Sequence, residues 1–182
     1  MPRKESVTEE MILNTAFEMA KNEGFENVTA RKVSAAVGCS TQPIFRVYEN
    51  MEGLLVAVYE KASQYFLDYF KEYDKSSLIP FGDLGLAYIS FAKEEKNLFK
   101  LLFVSDFQKK KSMYELLNGN DGNVVREINL ARQRNCKDPE GLFMKMWIFI
   151  HGAACMSLTG DYDLDNAQTS ELLVASYAAF SR

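Results

Sequence analysis

The stretch that decides the fold is TARKVSAAVGCSTQPIFRVYENMEGL, residues Thr29–Leu54. It predicts two short helices joined by a tight turn and followed by the start of a third helix. Thr29 is a residue type that caps helices, because its hydroxyl can accept a backbone proton of the opening turn. Gly38 stands where the chain must leave the first helix, and glycine adopts the positive φ of such a turn without steric cost. Two short helices around a glycine turn indicate a helix-turn-helix.

The second helix of this motif is predicted to begin near Ser40 or Thr41, with one of those hydroxyls as its cap. Pro43 agrees with this start, because the first turn of a helix tolerates a residue that has no backbone donor. Pro43 either only fixes the start of the helix or also helps aim Thr41 and Gln42 into a groove. Cys39, in the turn, is expected to point back toward the core. The inward face is predicted to be Ile44, Val47 and Tyr48. The outward face is predicted to be Thr41, Gln42, Phe45 and Arg46.

This stretch resembles the DNA-binding end of TetR/AcrR-type transcriptional regulators, and it lies at the N-terminus, where that family carries it. The residues that carry the resemblance are Thr29, Val33-Ser34, Gly38-Cys39-Ser40, Ile44-Phe45, Tyr48, Asn50, Glu52 and Leu54. The resemblance implies a homodimer that binds double-stranded DNA, acts most often as a repressor and is released by a small-molecule effector. The family commonly places a Tyr, a His and a Lys on the DNA backbone where this chain has Phe45, Val47 and Met51. These three departures remove polar contacts and put the affinity for DNA in question more than the fold.

Six residues form the predicted DNA-binding site: Thr29, Arg31, Thr41, Gln42, Phe45 and Arg46. Gln42 can bond an adenine edge, and Thr41 can touch a thymine methyl group. Thr29 and Arg31 stand at the start of the preceding helix, where the helix dipole favours a phosphate. Arg46 suits either a phosphate or a base.

The net charge of −4 does not by itself indicate a nucleic-acid-binding protein. Residues 1–50 carry six basic and seven acidic side chains, so the predicted DNA-binding part is not basic overall. A local basic face counts for more than the sum of charges. Five basic residues could share such a face: Arg3, Lys4, Arg31, Lys32 and Arg46, the first two on an N-terminal arm.

The rest of the chain shows apolar residues at helical spacing and no alternation of the strand type. The predicted helices cover 8–22, the two helices of the motif, about 51–73, 83–95, 97–104, 113–118, 124–134, 139–158 and about 165–180. The fold class is therefore all-α. We predict an N-terminal three-helix domain with the helix-turn-helix over residues 1–50. A helical C-terminal domain for ligand binding and dimerisation follows over residues 51–182.

A second pattern, Trp147-x-x-x-His151-Gly152, lies on one predicted helix. Trp147 and His151 are four residues apart and share a face. The pattern resembles the WHG-type C-terminal domain found in one branch of TetR-like regulators. It indicates either one wall of a pocket for an apolar effector or a core histidine satisfied by a neighbouring carbonyl group. The predicted ligand-binding residues are Phe66, Tyr88, Phe103, Trp147 and His151.

The last two predicted helices mix small and large apolar residues, which allows close approach of helices. Two such helices and their symmetry mates would form a four-helix interface, as the family resemblance implies. The spacing alone is equally compatible with a monomer that has a thick core.

Catalytic and metal chemistry have little support in the sequence. His151 is the only histidine, so a metal site built on several histidines is excluded. Cys155 lies four residues after His151 and could pair with it in an enzyme, but a shared helix face more often means packing. The three cysteines have no metal-binding spacing, and we expect no cofactor, no metal and no enzymatic activity.

The N-terminal residues are charged and contain no apolar segment, and no run of eighteen uncharged apolar residues occurs. We therefore expect a cytoplasmic protein without a membrane partner. The alternative function is a helical module that binds small molecules or proteins and whose helix-turn-helix does not bind DNA.

Overall fold

The computed structural model describes residues 7–107 and 112–181, and the regular structure in these ranges is helical. The α-helices are α1 (Glu9–Glu23), α2 (Ala30–Val37), α3 (Gln42–Tyr48), α4 (Met51–Glu72), α5 (Gly82–Glu94), α6 (Lys96–Phe99), α7 (Met113–Asn118), α8 (Asn123–Gln133), α9 (Pro139–Thr159) and α10 (Asn166–Phe180). A 3-10 turn, Phe25–Asn27, follows α1, and a π-helical turn, Lys100–Val104, continues α6. The all-α prediction is confirmed, and no strand occurs within the described ranges.

The chain packs as two compact units. The first unit comprises the described parts of Met1–Tyr65 and Asn97–Lys109, and the second those of Phe66–Lys96 and Lys110–Arg182. Helix α4 begins in the first unit and ends in the second. The sequence predicts a boundary between a DNA-binding domain and a C-terminal domain after residue 50, and this boundary stays a prediction.

Helix α1 closes the first unit over the helix-turn-helix. Its N-cap is Thr8, whose hydroxyl accepts from the Met11 amide at 3.2 Å. Gly24, at φ 99°, lets the chain leave the helix. The apolar stripe of α1 packs against α2 and α3 because its residues recur at helical spacing. The resulting core consists of Ile12, Ala16, Ala20, Val28, Val33, Ile44, Leu54 and Val58, all buried.

The turn between α2 and α3 has the predicted chemistry. The Thr29 hydroxyl accepts from the Lys32 amide at 3.3 Å, which caps α2. Gly38 is left-handed at φ 76°, and the Cys39 amide donates to the Ser34 carbonyl at 2.9 Å, as in a glycine-ended helix. Cys39 itself is half-buried, and the expectation that it points back toward the core stays a prediction.

Helix α3 begins at Gln42 and places Pro43 in its first turn, as predicted. Its N-cap is Thr41, but no side-chain hydrogen bond forms there, which corrects the expected hydroxyl cap. The reason is that Thr41 already has helical backbone angles, φ −72° and ψ −17°. A capping side chain works from extended backbone, as at Thr29, so only the Thr41 carbonyl accepts, from Ile44 at 3.1 Å and Phe45 at 3.3 Å.

The junction between α3 and α4 is a tight three-residue turn. The Asn50 amide donates to the Tyr48 carbonyl at 2.6 Å, and Glu49 at the centre of the turn has a positive φ of 59°. The Asn50 side chain then caps α4 by accepting from the Gly53 amide at 2.9 Å. A Cβ atom on Gly53 would lie 2.5 Å from the Tyr48 carbonyl oxygen. The junction therefore requires glycine at position 53.

Helix α5 is the centre of the second unit, and ten of its thirteen residues are buried. Helices α9 and α10 pack against it and against each other. Gly85 allows this close approach, since a Cβ atom there would lie 3.0 Å from Ile150 Cδ1 and 3.1 Å from Leu173 Cδ1. The packing of α5 therefore depends on a small residue at the point where α9 and α10 meet it.

The start of α5 is held by a residue far away in the sequence. Phe81, buried just before the helix, has a positive φ of 65°, which is unfavourable for a bulky side chain. Its amide donates to Oε2 of Glu127 on α8 at 2.6 Å. Burial raises the pKa of Glu127, although the Phe81 amide acts in the opposite direction. This bond ties α8 to the beginning of α5.

Helix α9 is long and apolar enough, by length and composition, to cross a membrane. In the second unit α9 packs against α5, and its residues Leu142, Met146 and Ile150 are buried. Burial in the core of this unit therefore accounts for the apolar composition of α9. Its predicted start is confirmed, because the Asp138 side chain accepts from the Gly141 amide at 2.9 Å and Pro139 follows in the first turn.

Candidate nucleic-acid interface and ligand site

Helix α3 exposes the four residues predicted on its outer face. Ile44, on the opposite face, is fully buried in the core of the first unit and fixes the rotation of the helix. Val47 and Tyr48 are half-buried beside it. The exposed side chains are Thr41, Gln42, Phe45 and Arg46. The structure therefore presents two hydrogen-bonding side chains, one ring and one cation on a single short helix.

The start of α2 presents the other two predicted contacts. Thr29 and Arg31 are both exposed. The Thr29 hydroxyl caps α2 by accepting from the Lys32 amide, and its own proton can still be donated to a phosphate oxygen. Arg31 carries a full charge beside the positive end of the helix dipole, which favours an anion. The charge of Arg31 is therefore the stronger attraction at this position.

Positive charge on this surface is limited. Lys32 is held by Asn27 Oδ1 at 2.6 Å and by Glu23 Oε2 at 3.4 Å, so its ammonium group is partly neutralised. Val47 and Met51, at two of the three departures from the family pattern, are only half-exposed and apolar. Arg3 and Lys4, proposed as a supporting arm, lie outside the described residues.

Four of the five predicted ligand-binding residues lie together in the second unit. The Tyr88 ring meets Trp147 edge-on at 4.8 Å between centroids, and the Trp147 ring stacks with His151 at 5.7 Å. Phe66 contacts Tyr88 edge-on at 6.2 Å. Phe66, Tyr88 and Trp147 are all buried, so they form a packed aromatic cluster.

Phe103 is the fifth predicted residue, and it belongs to the first unit. It is buried in the π-helical turn after α6 and contacts the Phe99 ring at 5.1 Å. The assignment of all five residues to one ligand site stays a prediction.

His151 is the polar member of the cluster. Its Nδ1 and the Tyr88 hydroxyl are hydrogen-bonded at 2.9 Å, and its Nε2 lies 3.5 Å from Cys155 Sγ. Burial lowers the pKa of His151, which favours the neutral imidazole. Burial raises the pKa of Tyr88 well above its ordinary value, with a smaller contribution from Cys155. His151 is therefore a histidine satisfied within the unit by a tyrosine hydroxyl, where the sequence suggested a carbonyl group.

Cys155 lacks the surroundings of an activated nucleophile. Burial raises the pKa of its thiol, while the pKa of His151 is lowered. Both shifts oppose transfer of the thiol proton to the imidazole, which is the step that activates a cysteine beside a histidine. No cluster of three or more potential metal ligands occurs among the described residues.

An apolar cleft in the second unit is lined by residues that had no role in the predicted sites. Its volume is about 450 Å³, and it lies between α7, α8 and α9. We call it the Phe143 cleft, and its apolar walls are Tyr114, Val125, Ile128, Phe143 and Met144. The sequence held one signal of it: Val125 and Ile128 are three residues apart and give α8 an apolar stripe.

The comparisons with known proteins agree with the predicted fold. Residues 12–58 match the family model described as bacterial regulatory proteins of the tetR family. No curated protein sequence matches the chain at a significant level. A crystal structure assigned as a TetR-family transcriptional regulator from Rhodococcus sp. is similar over 95% of this chain and 98% of its own, with 14% identity and a TM-score of 0.65. A TetR-like transcriptional regulator from Rhodococcus sp. RHA1 is similar over 98% and 96%, with 15% identity and a TM-score of 0.64.

At these identities the structural similarity shows a shared fold. The family match over residues 12–58 agrees with the predicted resemblance of the helix-turn-helix to TetR-type regulators. The WHG-type assignment of the C-terminal domain stays a prediction.

Proposed function

We propose that this protein is a TetR-type regulator and acts as a homodimeric repressor that binds a palindromic operator and is released by a small, apolar effector. The observation that carries the proposal is the outer face of α3, where Thr41, Gln42, Phe45 and Arg46 are exposed above the buried Ile44. A short helix with exposed hydrogen-bonding side chains on a fixed core is suited to enter a major groove. We place the protein in the cytoplasm, where it would meet its operator.

The contacts divide into base reading and positioning on the phosphates. The Gln42 amide can form two hydrogen bonds with an adenine edge, and the Thr41 methyl group can contact the methyl group of thymine. Arg31 holds a phosphate at the start of α2, with the Thr29 hydroxyl beside it. Arg46 adds a second cation, and the Phe45 ring adds apolar contact with the backbone sugars or a base methyl.

Dimerisation is supported by the composition of α9 and α10. Among the residues of α10, only Glu171 is charged, and α9 carries only Glu140 and Lys145. Large apolar side chains nevertheless remain exposed on both helices: Met144, Ile148, Met156 and Val174. An uncharged helical surface of this kind is unfavourable in water and is typical of an interface between subunits. Two copies joined through these helices would form a four-helix interface.

Release by an effector requires a ligand that binds more tightly to the form that does not fit the operator. The aromatic cluster of Phe66, Tyr88, Trp147 and His151 is the part of the second unit that we assign to this response. An apolar effector that displaces one ring of a closely packed cluster displaces its neighbours, because packed rings have few alternative arrangements. The effector therefore acts by repacking and needs no chemical step.

The decisive experiment is selection of bound sequences from random duplex DNA by the full chain. We expect enrichment of a two-fold symmetric sequence whose half-sites are about one helical turn apart. Affinity for the selected duplex should fall steeply as salt rises, in proportion to the phosphates contacted. If no sequence is enriched and no salt-dependent binding is measurable, the chain is instead a ligand- or protein-binding helical module whose helix-turn-helix does not bind DNA.

A further inference from the structure

Helix α3 presents its outer residues in two rows. Thr41 and Phe45 are four residues apart, and so are Gln42 and Arg46, so the members of each pair are neighbours along the helix. Thr41 already has helical backbone angles, and its carbonyl accepts from the Phe45 amide at 3.3 Å, which keeps these two residues in register. One row therefore offers a methyl group and a ring, and the other row offers an amide and a guanidinium.

Phe45 is the member of the apolar row whose position is fixed by the core. Its neighbour Ile44 is fully buried in the first unit and sets the rotation of α3, so Phe45 stays on the outer face. The Phe45 side chain is 40% exposed. It is the only exposed aromatic residue among the described residues of the first unit. Covering this ring with an apolar partner is favourable, because it removes apolar surface from water.

A phosphate group is an unsuitable partner for this ring. A phosphate oxygen needs a donor and a phenylalanine ring has none, so the contact would desolvate the phosphate without a compensating hydrogen bond. The residues that follow Arg46 add no cation, since Glu49 and Glu52 are exposed carboxylates and Val47 and Met51 are half-buried and apolar. Contacts with bases must therefore carry a large share of the affinity at this end of α3.

We infer that Phe45 recognises the C5 methyl group of a pyrimidine in the major groove of the operator. The thymine methyl group is the apolar feature that a base edge presents there, and a phenylalanine ring is a suitable contact for it. The base edge is favoured over the sugars because Phe45 continues, by one helical turn, the row in which Thr41 is proposed to touch a thymine. Four residues of helix rise about 6 Å, so the two methyl groups should lie within roughly two base pairs of each other.

This inference rests on the proposed function, because it names the base feature that the proposed operator presents to α3. Thymine and 5-methylcytosine both carry the methyl group, so either base could supply it. Phe45 should discriminate between bases more sharply than Thr41, because its amide is bonded within the helix and its neighbour Ile44 is held in the core.

The test removes one methyl group at a time from the operator selected out of random duplex DNA. Deoxyuridine in place of thymine deletes the methyl group and keeps the base pairing. Fluorescence anisotropy with the full chain should identify a thymine at which this change weakens binding by about fourfold in one half-site and about fifteenfold in both, the effect of one buried methyl group each. In Phe45→Ala the same change should alter the affinity by less than about twofold.

A second set of duplexes distinguishes the two sources of the methyl group. The thymine pair is replaced by a cytosine pair, with and without the C5 methyl group on cytosine. The wild-type chain should bind the methylated duplex about fourfold more tightly, and Phe45→Ala should bind both duplexes equally. Recovery of the affinity of the thymine duplex by methylation would mean that either base serves, and a large remaining loss would assign the site to thymine.

Thr41→Ser is the matched control, because it removes a methyl group from the same row and keeps the hydroxyl. It should abolish the effect of deoxyuridine at a different thymine and leave the effect at the Phe45 position unchanged. In Phe45→Ala the thymine assigned to Thr41 should still respond to deoxyuridine, which shows that α3 remains folded and in place.

Two results would overturn the inference. The first is an operator in which no replacement of thymine by deoxyuridine weakens binding of the wild-type chain. The second is an equal effect of deoxyuridine on the wild-type chain and on Phe45→Ala at every thymine, which would place the ring against the sugars. Either result contradicts this inference alone, since the chain still binds its operator. If selection yields no operator, the proposed function fails and the inference fails with it.

Discussion

At the scale of single residues, His151 is held neutral by its surroundings. It bonds to the Tyr88 hydroxyl, and burial lowers its pKa below that of an unfolded histidine, about 6.5. As the pH falls through about 6.5, His151 is protonated in the unfolded chain but stays neutral in the folded chain. The folded state therefore loses stability relative to the unfolded state. The loss continues until the pH reaches the lowered pKa of the folded state. Tyr88 and Cys155 do not titrate in this window, because burial raises both of their pKa values.

We therefore expect the wild-type protein to lose more unfolding free energy than His151→Gln between about pH 7.5 and about pH 5.5. Glutamine has no titrating group and keeps a polar group beside the Tyr88 hydroxyl, so the carboxylates act equally on both proteins. Urea denaturation at the two pH values measures the difference. Equal pH dependence of the two proteins would show that His151 accepts a proton as readily in the folded state as in the unfolded one.

Arg31 and Arg46 carry the cationic part of the proposed DNA contact. The double variant Arg31→Ala and Arg46→Ala is expected to lower operator affinity at least about a hundredfold, because each charged contact contributes roughly 1.5–3 kcal/mol. The dependence of log affinity on log salt should also become shallower by about four, because the proposed dimer loses two phosphate contacts in each subunit. Fluorescence anisotropy with a labelled operator at several salt concentrations measures both quantities.

The control for this pair is Lys71→Ala with Lys75→Ala, which removes the same charge from exposed positions of the second unit. The control should change the operator affinity by less than about threefold, because these two lysines lie outside the proposed contact and act only through electrostatic interactions that salt screens. Retention of full operator affinity by the arginine variant would mean that the interface lies on another surface.

At the scale of helices, the α3–α4 junction fixes how α3, the helix proposed to read DNA, leaves the core of the first unit. Gly53→Ala places a Cβ atom 2.5 Å from the Tyr48 carbonyl oxygen, a backbone atom that can move only with α3. We expect a loss of about 1–3 kcal/mol of unfolding free energy, as for other overpacked sites, together with weaker operator binding.

Gly152→Ala is the matched control for this substitution, because Gly152 also lies inside a helix and a Cβ atom there meets nothing within 4 Å. It should be neutral or stabilising by up to about 1 kcal/mol through helix propensity. Denaturant unfolding of the two variants decides the matter. Equal stability of Gly53→Ala and Gly152→Ala would show that the junction relaxes at no cost.

The positions of the helices could be predicted because their boundaries depend on neighbouring residues. Thr29, Gly38, Pro43 and Asn50 act within about four positions of themselves, so their effects are readable along the chain. The predicted hydroxyl cap of α3 was wrong. The residue type of Thr41 indicates that it can cap a helix, but it does not reveal the backbone angles on which a side-chain cap depends.

The aromatic cluster and the cleft depend on residues that are distant in the sequence. The Tyr88–His151 bond joins residues 63 positions apart, and the Phe81–Glu127 bond joins residues 46 positions apart. Spacing along one helix showed that Trp147 and His151 share a face, but it could not show that Tyr88 would meet them. The Phe143 cleft is formed by three helices and has no single stretch of sequence as its signal.

At the scale of the whole molecule, the proposed dimer depends on the exposed apolar residues of α9 and α10. Ile148 is 65% exposed in the middle of α9. Ile148→Lys places a charge on the proposed interface, and in a two-fold dimer two such charges come close together. We expect dissociation into monomers at micromolar concentration and weaker operator binding, because two half-sites are then no longer held by one particle. Sedimentation velocity measures the first effect and anisotropy the second.

Leu78→Lys is the control for this change, since Leu78 is 84% exposed in the segment before α5 and the charge added is the same. It should leave the oligomeric state unchanged. A wild-type chain that sediments as a monomer, or an Ile148→Lys variant that stays dimeric, would contradict the proposed interface.

The uncapped start of α3 has a consequence for selectivity among operators. Thr41 and Gln42, the proposed base readers, stand on a first turn that no side chain holds by a hydrogen bond. Such a turn frays more readily than one with a cap, and ordering each residue on DNA costs about 1–2 kcal/mol of conformational entropy. Ordering this turn therefore offsets part of the free energy gained from base contacts. Because the turn is less rigid, Thr41 and Gln42 can adapt to different base pairs. The regulator should tolerate sequence variation beneath Thr41 and Gln42, so that one protein serves a set of related operators.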